Sequence, residues 1–174
     1  MHLPTSVGFM RRVFPTAAIL ASLVLVGCKP PAPPSTSDYL GASYLANPAE
    51  LEQEVDQNGV AFQEKYSGKY IFVIGELDGI DPDHFNVARQ YQYYNKIAGI
   101  SVPQTAKVGC YVRGDKQSGL SSLREGQGVI IAGRVKFEAG GIFEPINLDE
   151  CVWVTADGSY TLESARTAIQ TTLQ

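Results

Sequence analysis

The stretch GKYIFVIGEL, residues 68–77, and the similar stretch GQGVIIAGRV, residues 126–135, decide the predicted fold. Both are rich in β-branched and apolar residues between turn-forming residues, which is the composition of a β-strand. Each stretch carries two glycines seven residues apart, so that Gly75 and Gly133 fall inside the strands. Glycine within a strand is typical of a bulge or sharp bend, which a small barrel needs in order to curl. The two stretches are therefore predicted to be equivalent long strands of one curved sheet.

A helix is predicted before the first of these strands, over NPAELEQEVDQNGVAFQEKY, residues 47–66. Asn47 is a good N-cap, Pro48 suits the first helical position, and Glu50 stands where a capping box requires it. Asn58 interrupts the apolar stripe of this helix and leaves two alternatives. It either breaks the helix or serves as a buried amide that ties the helix to the barrel. The stripe itself consists of Leu51, Val55, Phe62 and Tyr66.

The rest of the chain supplies further strands and two shorter helices. HFNVARQYQYYNKIAG, residues 84–99, alternates as a strand does, and VPQTAKVGCYVRG, residues 102–114, is a strand that ends at a turn. SGLSSLREGQG, residues 118–128, contains a short helical turn, and KFEAGGIFEPINLDECVWV, residues 136–154, is predicted as a hairpin around its Ala-Gly-Gly turn. The tail, residues 159–174, has apolar residues at helical spacing and allows a closing helix.

Together these elements indicate a mainly β protein. The predicted order is an N-terminal α-helix, three strands, a short helix before the fourth strand, a fifth strand and the C-terminal helix. Five strands with helices in these places suit an OB-fold barrel, a small closed β-sheet. The fold class predicted from the sequence is therefore a five-stranded OB-fold barrel.

The N-terminal region has the pattern of an export signal. Arg11 and Arg12 precede a mostly apolar run, residues 13–26, which is shorter than the ~20 residues of a membrane-spanning helix. The run ends in LVGC, residues 25–28, a tetrad that resembles the lipobox of bacterial lipoproteins. That resemblance implies that the Cys28 thiol receives a diacylglycerol group and that the chain is cut just before it. The alternative is an ordinary signal peptide that happens to be followed by a cysteine.

These features divide the chain into three regions. We expect a lipoprotein signal peptide at residues 1–27, a proline-rich tether at 28–43 and the OB-fold domain at 44–174. Met10 is an alternative start that gives a more compact signal. Lys29 stands where an aspartate would resemble an inner-membrane retention signal, which favours the outer membrane, facing the periplasm, in a cell with two membranes. The expected location is the bacterial cell envelope, with membrane lipid as the partner of the acylated cysteine.

The cysteine, histidine and charge content limits which disulfides, metal sites and partners the protein can have. With Cys28 lipidated, a single pair remains, and a pair in an exported domain favours a disulfide between Cys110 and Cys151. Two reduced, buried cysteines are the alternative. His84 is the only histidine after the signal and no C-x-x-C occurs, which argues against a metal site. The net charge of −4 becomes more negative without the two signal-peptide arginines, so nucleic acid is not the expected partner.

From about Asn47 to Val154 the chain resembles the tRNA_anti-like family, a group of OB-fold lipoproteins. The resemblance implies the fold and the lipoprotein character, the cysteine pair fits its pattern, and it brings no catalytic residue with it. The chain departs from the family over residues 78–99, which are rich in tyrosine. The matching elements are Asn58 and Ala61 in the helix, then YSGKYIFVIGEL, VGCYV, LREGQGVIIAGRV and LDECVWV.

Two groups of polar residues are candidate chemical sites. DGIDPDHFN, residues 78–86, gathers aspartates, a histidine and an asparagine as oxygen-rich cation sites do, but a solvated loop is the favoured interpretation. Glu144, Asp149 and Glu150 could pair for acid–base catalysis, although neighbouring strands are expected to turn them to solvent. No nucleophile, phosphate-binding loop or companion acid for His84 is found. The sequence therefore predicts no enzyme, no cofactor and no metal.

The stretch ARQYQYYNK is the candidate binding surface. Tyrosines flanked by basic residues on the second strand resemble a stacking platform, and OB folds bind ligands on the face of strands two and three. In the alternative, Tyr91 and Tyr93 fill the barrel core and Tyr94 lies on the surface. The candidate ligand-binding residues are Arg89, Tyr91, Tyr93, Tyr94 and Lys96.

The sequence therefore predicts a membrane-anchored binding or interaction module of the cell envelope. An envelope protein or a glycan is the expected partner. The alternative function is a receptor for oligosaccharide or single-stranded nucleic acid on the face of strands two and three, and a hydrolase ranks last. A bare apolar patch on that face favours a protein partner, whereas positive potential beside tyrosines on one face favours the receptor.

Overall fold

The described part of the chain folds into six strands and four helical segments. A computed structural model describes residues 32–95, 98–137, 139 and 145–174. None of the helices in these ranges is both long enough and apolar enough to cross a bilayer. The predicted signal peptide and Cys28 lie outside the described residues. The helices are α1 Thr36–Leu40, α2 Pro48–Tyr66, a 3₁₀ helix Gln117–Ser122 and α3 Leu162–Thr172. The strands are β1 Leu45–Ala46, β2 Tyr70–Ile80, β3 His84–Asn95, β4 Ile100–Tyr111, β5 Gly128–Lys136 and β6 Ile146–Thr155.

The strands form one sheet that closes on itself. Their order across the sheet is β1-β2-β3-β4-β6-β5, and β2 also pairs with β5. The β2–β3, β3–β4, β5–β6 and β2–β5 pairs are antiparallel, whereas β4 and β6 are parallel. Apart from the short β1, which runs parallel to the start of β2 and has no counterpart in the prediction, this is the five-stranded closure of an OB fold. The predicted mainly β fold class is confirmed.

At Gly75 and Gly133 the neighbouring strands lie too close together to leave room for a side chain. The two glycine-containing stretches pair directly with each other as β2 and β5, with Gly75 opposite Val129. A Cβ atom at Gly75 would lie 2.6 Å from Val87 Cγ1 and 2.7 Å from the carbonyl oxygen of Ala88 on β3. A Cβ atom at Gly133 would lie 2.9 Å from a cysteine sulfur of β6. Both positions therefore require glycine for the barrel to close.

The interior of the barrel is apolar, and α2 packs against it. α2 contributes Leu51, Phe62 and Tyr66, which are buried together with the barrel residues in one cluster. This is the stripe predicted from the sequence. Removing such large side chains from water is the main favourable contribution to folding, at about 25 cal/mol per Å² of apolar surface. The interior residues of the strands include Ile71, Val73, Phe85, Val87, Val108, Ile131 and Leu148.

The helix α2 begins as predicted and is interrupted once. Asn47 Oδ1 accepts a hydrogen bond from the Glu50 N–H at 3.0 Å, and the Glu50 carboxylate accepts one from the Asn47 N–H at 2.9 Å. Asn58 has φ −165° and ψ 90°, so the helix is kinked there. The exposed Asn58 side chain accepts a hydrogen bond from the Ala61 N–H at 3.1 Å and so caps the second half of the helix. The helix-break alternative is confirmed, and the buried-amide alternative is wrong because Asn58 faces solvent.

A second apolar core lies on the outer surface of the barrel. Tyr39 of α1 and Ile169 of α3 are buried there with Phe72 of β2, so the predicted closing helix is part of the domain. The Tyr39 hydroxyl also donates a hydrogen bond to the backbone carbonyl of Glu150 at 2.6 Å. The structure thus differs from the tether predicted over residues 28–43, because burial of the Tyr39 ring folds α1 onto the barrel.

Strand β6 contains a bulge next to a disulfide. β5 and β6 pair antiparallel, as the predicted hairpin requires, although most of its Ala-Gly-Gly turn lies outside the described residues. The register shifts between Ala132 and Arg134, and Glu150 opposite this shift has a positive φ of 60°. The adjacent Cys151 forms a disulfide with Cys110 of β4, with Cα atoms 5.9 Å apart and both residues buried. The disulfide links the parallel strands β4 and β6 inside the barrel.

Candidate interaction surface

Strands β3 and β4 extend beyond the barrel as a two-stranded ribbon. They pair without interruption along both strands, which confirms the strand predicted from residue 84 onward. β2 pairs with β3 only as far as Ala88, and β6 pairs with β4 only at residues 108–110. Residues 89–95 and 100–107 are therefore paired only with each other, and we call this segment the ribbon.

The tyrosines of the ribbon lie on both of its sides. Val87 is buried in the barrel, and strand alternation places Arg89, Tyr91 and Tyr93 on the same side, which we call the inner side. Tyr94 lies on the opposite, outer side. Tyr93 is 37% exposed and Tyr94 57% exposed, while Tyr91 is half-buried. The alternative in which Tyr91 and Tyr93 fill the core is wrong, because β3 continues past the barrel interior after Val87.

The candidate residues do not form a single stacking platform. Tyr91 and Tyr93 share the inner side, whereas Tyr94 faces away from them, so one nucleic-acid strand could not stack on all three rings. Lys96 lies outside the described residues. Ile100, opposite the end of β3, is 54% exposed and adds an apolar side chain to the inner side. The ribbon therefore presents aromatic and aliphatic surface to solvent on two sides.

Two carboxylates of α2 face Tyr91 on the inner side of the ribbon. The Tyr91 hydroxyl donates a hydrogen bond to Gln104 Oε1 at 3.1 Å and is also within hydrogen-bonding reach of Glu52. Burial raises the pKa of Tyr91, and the charges of Glu52 and Asp56 raise it further. Burial and the charge of Asp56 likewise raise the pKa of Glu52. The potential at Tyr91 is therefore negative. Sequence reasoning missed the two carboxylates, because no short-range pattern connects these residues of α2 with Tyr91 of β3.

Arg89 stands between two surface grooves at the point where β3 leaves β2. One groove, of about 590 Å³, lies beside the start of α2 and is also lined by Glu50 and Glu76. The other, of about 540 Å³, is lined by Glu76, Asp78 and Lys107. Lys107 Nζ lies 2.5 Å from Asp78 Oδ2, whereas Arg89 has no ion-pair partner among the described residues. The surface around Arg89 has mixed charge and is not a basic patch.

The aspartate-rich loop before β3 does not gather its side chains around one point. His84 Nε2 lies 3.1 Å from Asp81 Oδ2, and His84 Nδ1 lies 3.0 Å from Asp83 Oδ1. The imidazole stacks on Tyr111, with ring centroids 5.2 Å apart, while Asp78 pairs with a lysine of β4. Among the described residues, no three His, Cys, Asp or Glu side chains are arranged to hold a metal ion. The loop is organised by local contacts of His84 with two aspartates and by the Asp78–Lys107 ion pair.

The carboxylates of β6 make separate contacts. Glu150 Oε2 accepts a hydrogen bond from the Tyr70 hydroxyl at 2.6 Å and lies 3.5 Å from Arg134 Nε. Asp149 Oδ2 lies 3.9 Å from the ammonium group of a lysine on β5. Both carboxylates are half-buried, so the expectation that they face solvent is only partly met. Glu144 lies outside the described residues. The Glu150 side chain holds the bulge of β6 against β2 and β5.

Comparison with known proteins yields structural likeness alone. No family model matches the chain, so the resemblance to the tRNA_anti-like family stays a prediction. No curated protein matches the chain either. A lipoprotein of Klebsiella pneumoniae to which nucleic-acid binding is ascribed is 16% identical, with 70% of this chain and 98% of that chain covered and a TM-score of 0.49.

Two single-stranded-DNA-binding proteins are also similar. The Plasmodium falciparum protein, solved in complex with single-stranded DNA, is 16% identical over 51% of this chain and 94% of that chain. A small protein of Streptomyces coelicolor is 15% identical over 52% of this chain and 94% of that chain. The TM-score is 0.33 for both. At these TM-scores the fold assignment depends on the strand order and pairing of the chain itself.

Proposed function

We propose that the protein is a lipid-anchored OB-fold module of the bacterial cell envelope that binds a protein partner through the ribbon. The observation that carries this proposal is the exposed aromatic and aliphatic surface of the ribbon, at Tyr93, Tyr94 and Ile100. Apolar surface is favourably removed from water, and aromatic residues are enriched in protein interfaces. A ribbon beyond the barrel can bind a partner without disturbing either core.

The charges around the ribbon favour a protein over nucleic acid. Glu52 and Asp56 make the potential at Tyr91 negative, and Lys107 is neutralised by Asp78. Nucleic-acid binding depends on clustered lysines and arginines that contact phosphates, and such a cluster is absent among the described residues of the ribbon. A receptor for oligosaccharide is the second candidate, since tyrosine rings beside carboxylates also suit sugar hydroxyls.

The membrane anchor in this proposal is Cys28. Acylation of its thiol and of the new amino terminus would hold the domain at the membrane, since each buried methylene contributes about 0.8 kcal/mol. The apolar run before it and the prolines after it support this assignment. Cys28→Ala is expected to abolish metabolic labelling with palmitate. Persistent labelling would show that another residue carries the lipid and would refute acylation of Cys28.

The binding role is tested by site-specific photo-crosslinking in the intact envelope. A photoreactive residue replaces Tyr94 on the ribbon, and a matched control places it at Gln170, which is exposed on α3. We expect a discrete protein adduct from position 94 and none from position 170. The same adducts from both positions, or an adduct that nuclease removes, would contradict a protein-binding ribbon.

A further inference from the structure

One edge of the ribbon is open to further strand pairing. Over residues 89–95, β3 pairs with β4 on one edge and with no described strand on the other. β4 also lacks a second strand partner over residues 100–107, but Pro103 lies within it and cannot donate a backbone hydrogen bond. Proline is a common protection of edge strands against strand addition. The edge of β3 carries no proline, so it is the accessible template.

A strand added along this edge would have defined neighbours. Cross-strand side chains lie about 5 Å apart and alternate between the two sides of a sheet. Every second residue of the added strand would therefore lie on the inner side, beside Arg89, Tyr91 or Tyr93. The residues between them would lie on the outer side, beside Tyr94. The groove of about 590 Å³ at the Arg89 end leaves room for the added chain to continue past the ribbon.

The charges on the inner side determine which side chains suit these positions. Glu52 and Asp56 lie near Tyr91, and neither carboxylate forms an ion pair with a described residue. A lysine or arginine there would contact a tyrosine ring and approach a carboxylate at the same time. Arg89 has no ion-pair partner among the described residues and therefore suits an acidic neighbour. Tyr93 is 37% exposed and offers its ring alone to a second cation. The pattern that complements the inner side is therefore acidic, basic, basic at every second position.

We propose that a partner protein adds an extended segment along the open edge of β3, with an acidic residue beside Arg89 and basic residues beside Tyr91 and Tyr93. This inference rests on the proposed function and specifies the binding mode and the chemistry of the partner segment. The main-chain hydrogen bonds of the added strand supply affinity, and the alternating side chains supply specificity.

Synthetic peptides test this mode of binding directly. The probe is a short peptide of threonine and valine with Glu, Lys and Lys at alternate positions, and its binding to the full chain in detergent is measured by fluorescence anisotropy. A control peptide of the same composition has adjacent lysines, so that one of them falls on the outer side. We expect the alternating peptide to bind about tenfold more tightly. Equal affinities would overturn the proposed side-chain pattern.

Backbone pairing is tested on the peptide, so that the protein is left unchanged. Two methylated versions of the alternating peptide are compared. In one, N-methylation of every second residue removes the backbone N–H donors along one edge of the peptide strand. In the other, N-methylation of the remaining residues removes the donors along the opposite edge. Only one of the two sets should weaken binding, by about tenfold or more, because only one edge faces β3. Equal affinities of both methylated peptides and the parent would overturn strand addition.

Variants of α2 test the charge assignment. Glu52→Gln combined with Asp56→Asn keeps the shape of both side chains and removes their charges. This double variant should weaken the alternating peptide about tenfold and leave a peptide with threonine in place of both lysines unaffected. Glu64→Gln, an exposed carboxylate farther along the same helix, is the matched control and should change neither affinity. An equal loss from the control would overturn the assignment.

The outcomes separate this inference from the proposed function. A protein adduct from position 94 combined with no preference among the peptides overturns strand addition and leaves the binding role standing. Absence of both the adduct and peptide binding overturns both. A full chain that dimerises in detergent, with Tyr94 crosslinked to the second copy, would place another ribbon on this edge and overturn the assignment to a different partner protein.

Discussion

Replacement of Gly75 by alanine is expected to destabilise the barrel strongly. The added methyl group would lie 2.6 Å from Val87 Cγ1 and 2.7 Å from the Ala88 carbonyl oxygen, and 3.4 Å from Pro48 Cδ. The valine side chain can rotate, but the carbonyl oxygen belongs to backbone that is held in register with β2, with Glu76 opposite Ala88. Overpacking in a core costs about 1–3 kcal/mol, and we expect about 3 kcal/mol here because backbone must move.

The matched control is the same substitution at Gly59. A Cβ atom there meets only Ala139 Cβ, at 4.0 Å, and the residue lies in the second half of α2. Alanine reduces the conformational freedom of the unfolded chain and favours the helix, so Gly59→Ala should stabilise the protein by about 0.5–1 kcal/mol. One chemical change is therefore predicted to have opposite effects at the two sites.

Urea denaturation followed by the fluorescence of Trp153, the single tryptophan, measures both effects. With a slope of about 2 kcal/mol per molar urea, a loss of about 3 kcal/mol lowers the midpoint by about 1.5 M. The Gly59→Ala midpoint should rise by a few tenths of a molar unit. A Gly75→Ala protein with an unchanged midpoint and an unchanged slope would refute the packing of β3 against β2 described above.

Two further predictions concern the disulfide and a buried tyrosine. Cys110 and Cys151 are 41 residues apart, so replacing both with alanine should cost about 4 kcal/mol in the urea experiment, and non-reducing peptide mapping should show them joined in the unsubstituted protein. Two free thiols would refute the pairing. Burial and the Glu150 charge raise the pKa of Tyr39 from 10.0 to about 12. Because the folded state favours the neutral phenol, its contribution to stability is complete below pH 10 and is lost between pH 10 and about 12, by roughly 2–3 kcal/mol. Between pH 10 and 12 the melting temperature should therefore fall less steeply with pH for Tyr39→Phe than for the unsubstituted protein. Parallel curves for the two proteins would contradict the raised pKa of Tyr39.

Local signals in the sequence predicted much of the fold. The start of α2 follows from Asn47, Pro48 and Glu50 because a capping box involves only residues within one turn of helix. The pairing of β2 with β5 agrees with two apolar stretches whose glycines stand at equivalent places. The sequence allows two alternatives at Asn58, and they differ in whether its side chain is buried, which depends on tertiary packing.

Other features depend on contacts between distant residues and could not be predicted. Alternation along β3 shows that Val87 and Tyr91 share a side, but it does not show where the barrel interior ends. The proximity of Glu52 to Tyr91 arises from the packing of α2 against β3. Similarly, Tyr39 follows a proline- and serine-rich stretch that has the composition of a linker, and its burial depends on β6 and α3. The sequence therefore places the candidate tyrosines on one strand, whereas their exposure and their neighbours on α2 follow from tertiary packing.

The closure of the barrel has a consequence for the order of folding. Tyr70 pairs with Arg134, so β2 and β5 meet only after the intervening chain has been made. Forming such a long loop costs entropy before the contacts compensate for it, whereas the β3–β4 hairpin joins neighbouring residues. During synthesis the hairpin can therefore form first, and the closed barrel must wait for the emergence of β5 and β6.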